Sequence, residues 1–105
     1  MSEAIRTRPS ARWDLVDLAE RIQQSSPDGA ERFLDAVEET LQLVASMPEM
    51  GSPWESNHPD LAGLRFVRVN RFKNHLIFYV PHMEGLDVVR ILYGTRDIEA
   101  LLSGE

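Results

Sequence analysis

The stretch LRFVRVNRFKNHLIFYVPHMEGLDVVRILYGTR, Leu64–Arg96, decides the fold. It reads as three apolar strands in succession, Leu64–Asn70, His75–Val80 and Leu86–Tyr93. The connections, Arg71–Asn74 and Pro81–Gly85, are short and rich in turn formers, which favours neighbouring antiparallel strands and hence a meander. A one-sided sheet alternates apolar and polar residues. Leu76-Ile77-Phe78-Tyr79-Val80 does not, and Val88-Val89-Arg90-Ile91-Leu92-Tyr93 hardly does. Both faces of the sheet are therefore expected to be covered at least in part. The rest of the chain supplies one cover, and the expectation for the other is a second protein.

Upstream, Glu3–Thr7 reads as an edge strand of the same sheet, stopped by Arg8-Pro9. A first helix is expected from Pro9 or Ala11 to Gln24, with Pro9 suited to its first turn and Ser10 an alternative cap. Leu15, Leu18, Ala19 and Ile22 form its apolar face. Asp14 is placed in the first turn, where the helix dipole favours negative charge. Trp13 and Val16 widen the apolar arc. A tryptophan here reads as core or core rim, with a partner-binding anchor as the alternative. Ser26 as N-cap and Pro27 at N1 start a second helix. Ala30, Phe33, Leu34, Val37, Leu41, Val44 and Ala45 hold its period until Met47-Pro48. So short a loop makes an antiparallel hairpin. Each large side chain buried contributes roughly 1.5–3 kcal/mol before entropy, so the hairpin needs the sheet to pack on.

Glu49–Gly63 has no period and reads as a long irregular connection, with Trp54 as its anchor against the core. After the meander, Thr95 or Asp97 caps a short last helix with Ile98, Leu101 and Leu102 on its inner face. Residues 103–105 are expected to fray.

The 105 residues fit one domain, 1–105, of α+β class: an N-terminal strand, an antiparallel α-hairpin packed on an antiparallel β-meander, and a short C-terminal helix. No apolar run is long enough for a membrane span, and the N-terminus lacks the apolar core of a signal peptide. The absence of cysteine excludes disulfides and thiol chemistry and suits a reducing cytoplasm. Net charge is −6. The basic residues concentrate in the meander as Arg65, Arg68, Arg71, Lys73, Arg90 and Arg96, leaving the remainder acidic. Two readings follow: arginine stems covering the sheet, or a basic patch aimed at an acidic partner. A nonspecific nucleic-acid binder would be basic overall.

Chemistry-bearing motifs are scarce. His58, His75 and His82 have no helical metal-site spacing and no carboxylate in a metal motif. Gly-Xaa-Gly does not occur, and no serine sits in a nucleophile elbow. Arg65, Arg68, Arg90, Arg96, His75, Tyr79 and Tyr93 include the residue types of an RNA-cleaving site. Strand parity puts Arg90 with Val88 and Leu92, and Tyr93 on the opposite face with Val89 and Ile91, so the two are not expected to meet. No catalytic residue, metal or cofactor is expected.

The chain resembles the ParE toxins of bacterial toxin–antitoxin pairs, within the wider RelE/ParE superfamily. The residues that carry this are Arg12-Trp13-Asp14-Leu15, Ser26-Pro27 with Ala30-Glu31-Arg32-Phe33-Leu34, and Pro48-Glu49-Met50-Gly51. Gly63-Leu64-Arg65, His75-Leu76-Ile77-Phe78-Tyr79 and Arg90-Ile91-Leu92-Tyr93-Gly94-Thr95-Arg96-Asp97-Ile98 complete the set. Their order and spacing span nearly the whole chain. The chain departs from the family at Tyr93, where histidine is commoner. The resemblance implies a β-αα-βββ fold and a cytoplasmic toxin associated with plasmid stabilisation. It implies neutralisation by a ParD-type antitoxin and inhibition of DNA gyrase without enzymatic activity.

On physical grounds an antitoxin tail would lay a helix along the hairpin and add an extended segment to a sheet edge. Acidic residues of that tail would pair with Arg65, Arg68 or Arg90. The candidate partner-binding residues are Trp13, Trp54, Arg65, Arg68, Arg90, Tyr93 and Arg96. No membrane contact and no sequence-specific nucleic-acid binding are expected. Two alternatives remain open: a ribosome-dependent mRNA endonuclease of the RelE type, and a non-toxic antitoxin-binding module. The acidic net charge, and a last helix without aromatic or histidine, count against the first.

Overall fold

The computed structural model describes residues 4–94 and 97–103. In chain order these form β1 (Ala4–Thr7), α1 (Pro9–Ser25), α2 (Pro27–Ser46), β2 (Ser52–Pro53), a 3-10 turn (Pro59–Leu61), β3 (Arg65–Val69), β4 (Phe72–His82), β5 (Gly85–Tyr93) and α3 (Ile98–Ser103). One sheet runs in the order β1-β5-β4-β3-β2. β1 lies parallel to β5, and every other pairing is antiparallel.

The α-hairpin is built as its sequence signals. Pro9 opens α1 behind an extended Arg8, which offers no side-chain cap. The Ser10 hydroxyl does not cap either; it donates to the Val89 carbonyl at 3.4 Å. Ser26 alone separates the helices. Its N–H closes α1 on the Ile22 carbonyl, and its hydroxyl accepts from the Gly29 N–H at 2.9 Å to cap α2. Phe33, Ala36, Val37 and Val44 of α2 are buried against Val69, Ile77, Tyr79, Val88 and Ile91 of the sheet. Thr40, buried in α2, donates to the Ala36 carbonyl and accepts from the Asn70 N–H, which ties the helix to the β3–β4 turn.

The hairpin turns of the meander are tighter than expected. β3 and β4 are joined through Asn70-Arg71, with Arg71 at φ 67°. β4 and β5 are joined through Met83-Glu84, which lengthens β4 in both directions beyond His75–Val80. Gly85 opens β5 where the β1 backbone passes beside it. A Cβ at Gly85 would collide with the Ala4 carbonyl, so only glycine admits β1 at this edge.

The second face of the sheet is closed by the chain itself, which corrects the expectation of an open face. Leu76, Phe78, Val89 and Leu92 pack there under Leu61, Leu64, Ile98 and Leu102. Segment 52–64 is not shapeless. β2 adds two residues to the sheet, and the Trp54 ring meets Phe66 and Phe78 edge-on at centroid distances of 5.8 and 5.4 Å. Ile98 and Leu102 face inward from α3, whereas Leu101 is exposed, contrary to its expected inner placement. Asp97 precedes α3 at φ 54°, and its carbonyl accepts from the Leu101 N–H. Thr95, the other expected cap, lies outside the described residues, as do Gly104 and Glu105.

Candidate partner-binding surfaces

β1 pairs with β5 only as far as Val88. Beyond it, the β5 edge looks into a groove between α1 and α3 lined by Leu18, Ile22, His75, Arg90, Tyr93 and Leu101, among others. At its base the Arg90 guanidinium meets the Asp14 carboxylate in a two-pronged pair, Nε–Oδ2 2.7 Å and Nη2–Oδ1 2.8 Å. Both side chains are largely withdrawn from solvent, 17% and 13% exposed. Asp14 also accepts from the Ile91 N–H at 3.0 Å, satisfying an edge donor that no strand reaches. Arg90 Nη1 donates to the Leu101 carbonyl at 2.7 Å. One ion pair therefore fastens α1, β5 and α3 together. Asp14 sits beyond the first turn of α1, and this contact, not the helix dipole, accounts for it.

Arg90 and Tyr93 line the same groove, against the parity expectation. The reach of the Arg90 side chain accounts for this, since the bulge in β5 precedes both residues and leaves their relative parity intact. That bulge gives β5 one extra residue at Val89, since Phe78 pairs with Arg90 but Tyr79 with Val88. Val88 and Ile91 thus share the hairpin side, and Val89 and Leu92 the other. Arg90 reaches around the uncovered strand edge to Asp14. Tyr93 meets His75 edge-on at 5.1 Å, and His75 lies against Phe33 at 4.9 Å. Burial pushes the His75 imidazole below its ordinary value, so it is neutral at physiological pH. Its Nδ1 is covered and finds no hydrogen-bond partner among the described residues.

The remaining expected residues are distributed as follows. Arg65 is engaged by its own chain, with Nη1 donating to the carbonyls of Glu49 at 3.0 Å and Gly51 at 2.5 Å. The Tyr79 hydroxyl is buried on the same segment, donating to the Pro48 carbonyl and accepting from the Gly51 N–H. Burial pushes the Tyr79 pKa up, more than the Gly51 N–H and the nearby Arg65 charge lower it. Arg68 is exposed and donates to the Lys73 carbonyl. Trp54 is half-buried, with its indole N–H 3.4 Å from Glu99. Glu99 also accepts from the Ser56 hydroxyl and the Asn57 N–H, and these bonds hold its carboxyl below the usual range. Arg96 lies outside the described residues.

Trp13 is different. It stands 73% exposed on α1, with Val16 one turn on and Leu34 across the hairpin seam also exposed. A groove of about 460 Å³ runs between them, floored by Leu15, Ala19 and Ala30. A further apolar surface lies at the far end of the hairpin, where Met47, Met50 and Met83 surround a groove of about 750 Å³ with Pro48 and Pro81. The methionine surface was missed in sequence because its parts come from two distant turns. Among the described residues no group of three His, Asp or Glu side chains gathers as a metal site, and no helix is long and apolar enough to cross a membrane.

A family model described as ParE toxin of type II toxin-antitoxin system, parDE, matches residues 5–98. Among solved structures, a chain from the chromosomal ParDE TA system from P. aeruginosa superposes with a TM-score of 0.70 at 15% identity, covering 90% of this chain and 98% of that one. That likeness is one of fold. No curated protein matches the sequence. The family match covers most of the chain, and the chain belongs to the ParE toxin family of type II toxin–antitoxin systems.

Proposed function

We propose that this ParE-family toxin is neutralised by a ParD-type antitoxin seated on the exterior of its α-hairpin, and that the free toxin arrests growth by inhibiting DNA gyrase without catalysing a reaction. The observation that carries the antitoxin reading is the apolar strip of Trp13, Val16 and Leu34, exposed on a hairpin whose inner face is already packed. An exposed tryptophan in such a strip is the kind of anchor that dominates binding energy. The solved chain of similar fold comes from a ParDE system, which supports a ParD-type partner. The gyrase target is the one that the resemblance to ParE toxins implies.

The non-enzymatic reading is supported by what the ionisable groups are committed to. Arg90 and Asp14 hold three elements together. The Tyr79 hydroxyl is bonded to backbone at both ends, and Arg65 is bonded to loop carbonyls. A general acid or base must reach the substrate's proton, and these groups are already bonded within the chain.

The experiment is induction of the chain in growing bacteria, with and without co-expressed ParD-type antitoxin. Filamentation with DNA damage, relieved by the antitoxin, is expected. Prompt cleavage of translated mRNA would instead identify a RelE-type endonuclease. Unimpeded growth would identify a non-toxic binding module.

A further inference from the structure

An acidic tail pairing with Arg65 and Arg90 has little to meet, because both guanidinium groups are held by the chain's own oxygens. The exposed apolar strip lies instead in an acidic field. Residues 9–46 carry eight carboxylates against three arginines, a net −5 of the chain's −6. Asp14, Asp17 and Glu39 are paired, with Arg90, Arg21 and Arg71. The three carboxylates on the rim of the groove, Glu20, Asp28 and Glu31, make no ion pair among the described residues.

We propose that the groove between α1 and α2 takes an amphipathic helix whose apolar face carries lysine or arginine along its flanks. The inference rests on reading the hairpin exterior as the partner-binding surface, and it specifies the chemistry of the segment that binds there. Three observations combine. The groove is apolar at its floor, with Leu15, Ala19 and Ala30, and at its walls, with Val16 and Leu34. It is bordered by uncompensated negative charge, and a cationic flank would relieve that repulsion and speed encounter. Its backbone is fully helical, so an extended segment would find no strand edge there to pair with. A third helix can lay its ridge in the seam between two antiparallel ones. Along α1 the groove runs from Leu15 to Gln23, about 12 Å at 1.5 Å per residue, which two to three turns of a partner helix would fill. Trp13, one turn before Val16 on the same ridge, extends the contact. Arg12 lies beside this strip in sequence, so charge selection should be strongest at the end bearing Glu20, Asp28 and Glu31.

The test uses two synthetic helical probes of about 18 residues, long enough to span the groove. They share one leucine face, flanked by lysine in one probe and by glutamate in the other. Binding to the intact protein is read by fluorescence anisotropy at low and high ionic strength. The lysine probe is expected to bind at least about tenfold more tightly, with the preference shrinking as salt rises. Glu20→Gln/Asp28→Asn/Glu31→Gln should erase the preference, and Glu20→Lys/Asp28→Lys/Glu31→Lys should invert it. Val16→Asp/Leu34→Asp, at exposed positions that leave the core intact, should cost both probes their binding.

Equal affinity of the two probes overturns the inference. So does lysine-probe binding that survives Val16→Asp/Leu34→Asp, which would be adhesion by charge alone. Because the probes are synthetic, either failure leaves the toxin reading to be judged separately by growth arrest and antitoxin rescue.

Discussion

The sheet has two covers, and they are held on by different physics. The α-hairpin presents a continuous apolar face, and α2 alone buries Phe33, Ala36, Val37, Leu41, Val44 and Ala45. The opposite cover is a loop, a 3-10 turn and a helix of six residues. Its apolar contacts are fewer, and polar bonds fix its position: Glu99 to Ser56, Asn57 and Trp54, and Arg90 to the end of α3. Breadth of apolar contact makes a cover resistant to local opening, whereas a cover held by a few bonds opens when one of them is lost. The hairpin also has an outer face that remains apolar in part, with Trp13, Val16 and Leu34 exposed.

The largest expected effect falls on the first cover. Phe33→Ala removes a fully buried ring between α2 and the sheet and should cost about 3–5 kcal/mol, read as a lower urea midpoint. A loss under about 1 kcal/mol would mean that the hairpin is not the principal cover. Next comes the tie between the two covers. Asp14→Ala removes the carboxylate from both the Arg90 guanidinium, which keeps its bond to the Leu101 carbonyl, and the Ile91 N–H. About 2–3 kcal/mol is expected, below the fully buried case because both side chains keep some exposure. Amide exchange should rise in α3 as well as in α1. Exchange rising in α1 alone would show that the pair does not link the two covers.

Trp13→Ala sharpens the contrast between inner and outer hairpin. Stability should change by no more than about 0.5 kcal/mol, while affinity for the antitoxin should drop roughly 30-fold, about 2 kcal/mol. Equal antitoxin affinity would remove Trp13 as an anchor. Glu99→Gln should leave global unfolding near that of the parent but speed proteolysis within segment 52–64. The same bonds make the loop cover sensitive to acid. The Glu99 pKa is lowered on folding, so its contribution is complete above the ordinary carboxylate value and is lost as pH falls through the lowered one.

The smallest effect belongs to His75. Its folded pKa lies below the ordinary imidazole value of about 6.5, so the unfolded chain takes up the proton first. Stability should be constant above that value and decline as pH falls from 6.5 toward the lowered pKa. His75→Gln should flatten this part of the pH profile. An unchanged slope would place the titration elsewhere.

The first cover was legible in the sequence because its determinants are local. Ser26-Pro27 marks the boundary between helices, and the apolar period of α2 survives for its full length. The second cover leaves no periodic trace. Glu99 meets Ser56 across more than forty residues of chain, and Trp54 betrays only that something must shelter it. The parity of β5 misled for Val88, which the extra residue at Val89 sets on the side of Ile91, and the approach of Arg90 to Tyr93 depends on a side-chain reach that parity does not show. Asp14 read as a dipole partner because Arg90, 76 residues away, cannot be paired with it from spacing alone. The arginines of the meander left two readings open, stems covering the sheet or a partner-facing patch. Which charges are already neutralised depends on the folded chain, and there Arg65 and Arg90 are bonded to the chain's own oxygens while Glu20, Asp28 and Glu31 of the hairpin stay exposed.

The most direct measurement is amide hydrogen exchange of the toxin, free and bound to its antitoxin. Side-chain footprinting at Trp13 and Trp54 would accompany it. The account predicts protection concentrated on α1 and the first half of α2, with Trp13 shielded and Trp54, Glu99 and α3 unchanged. Protection of segment 52–64 with release of α3, and Trp13 still reactive, would show that the partner displaces the loop cover and would contradict it.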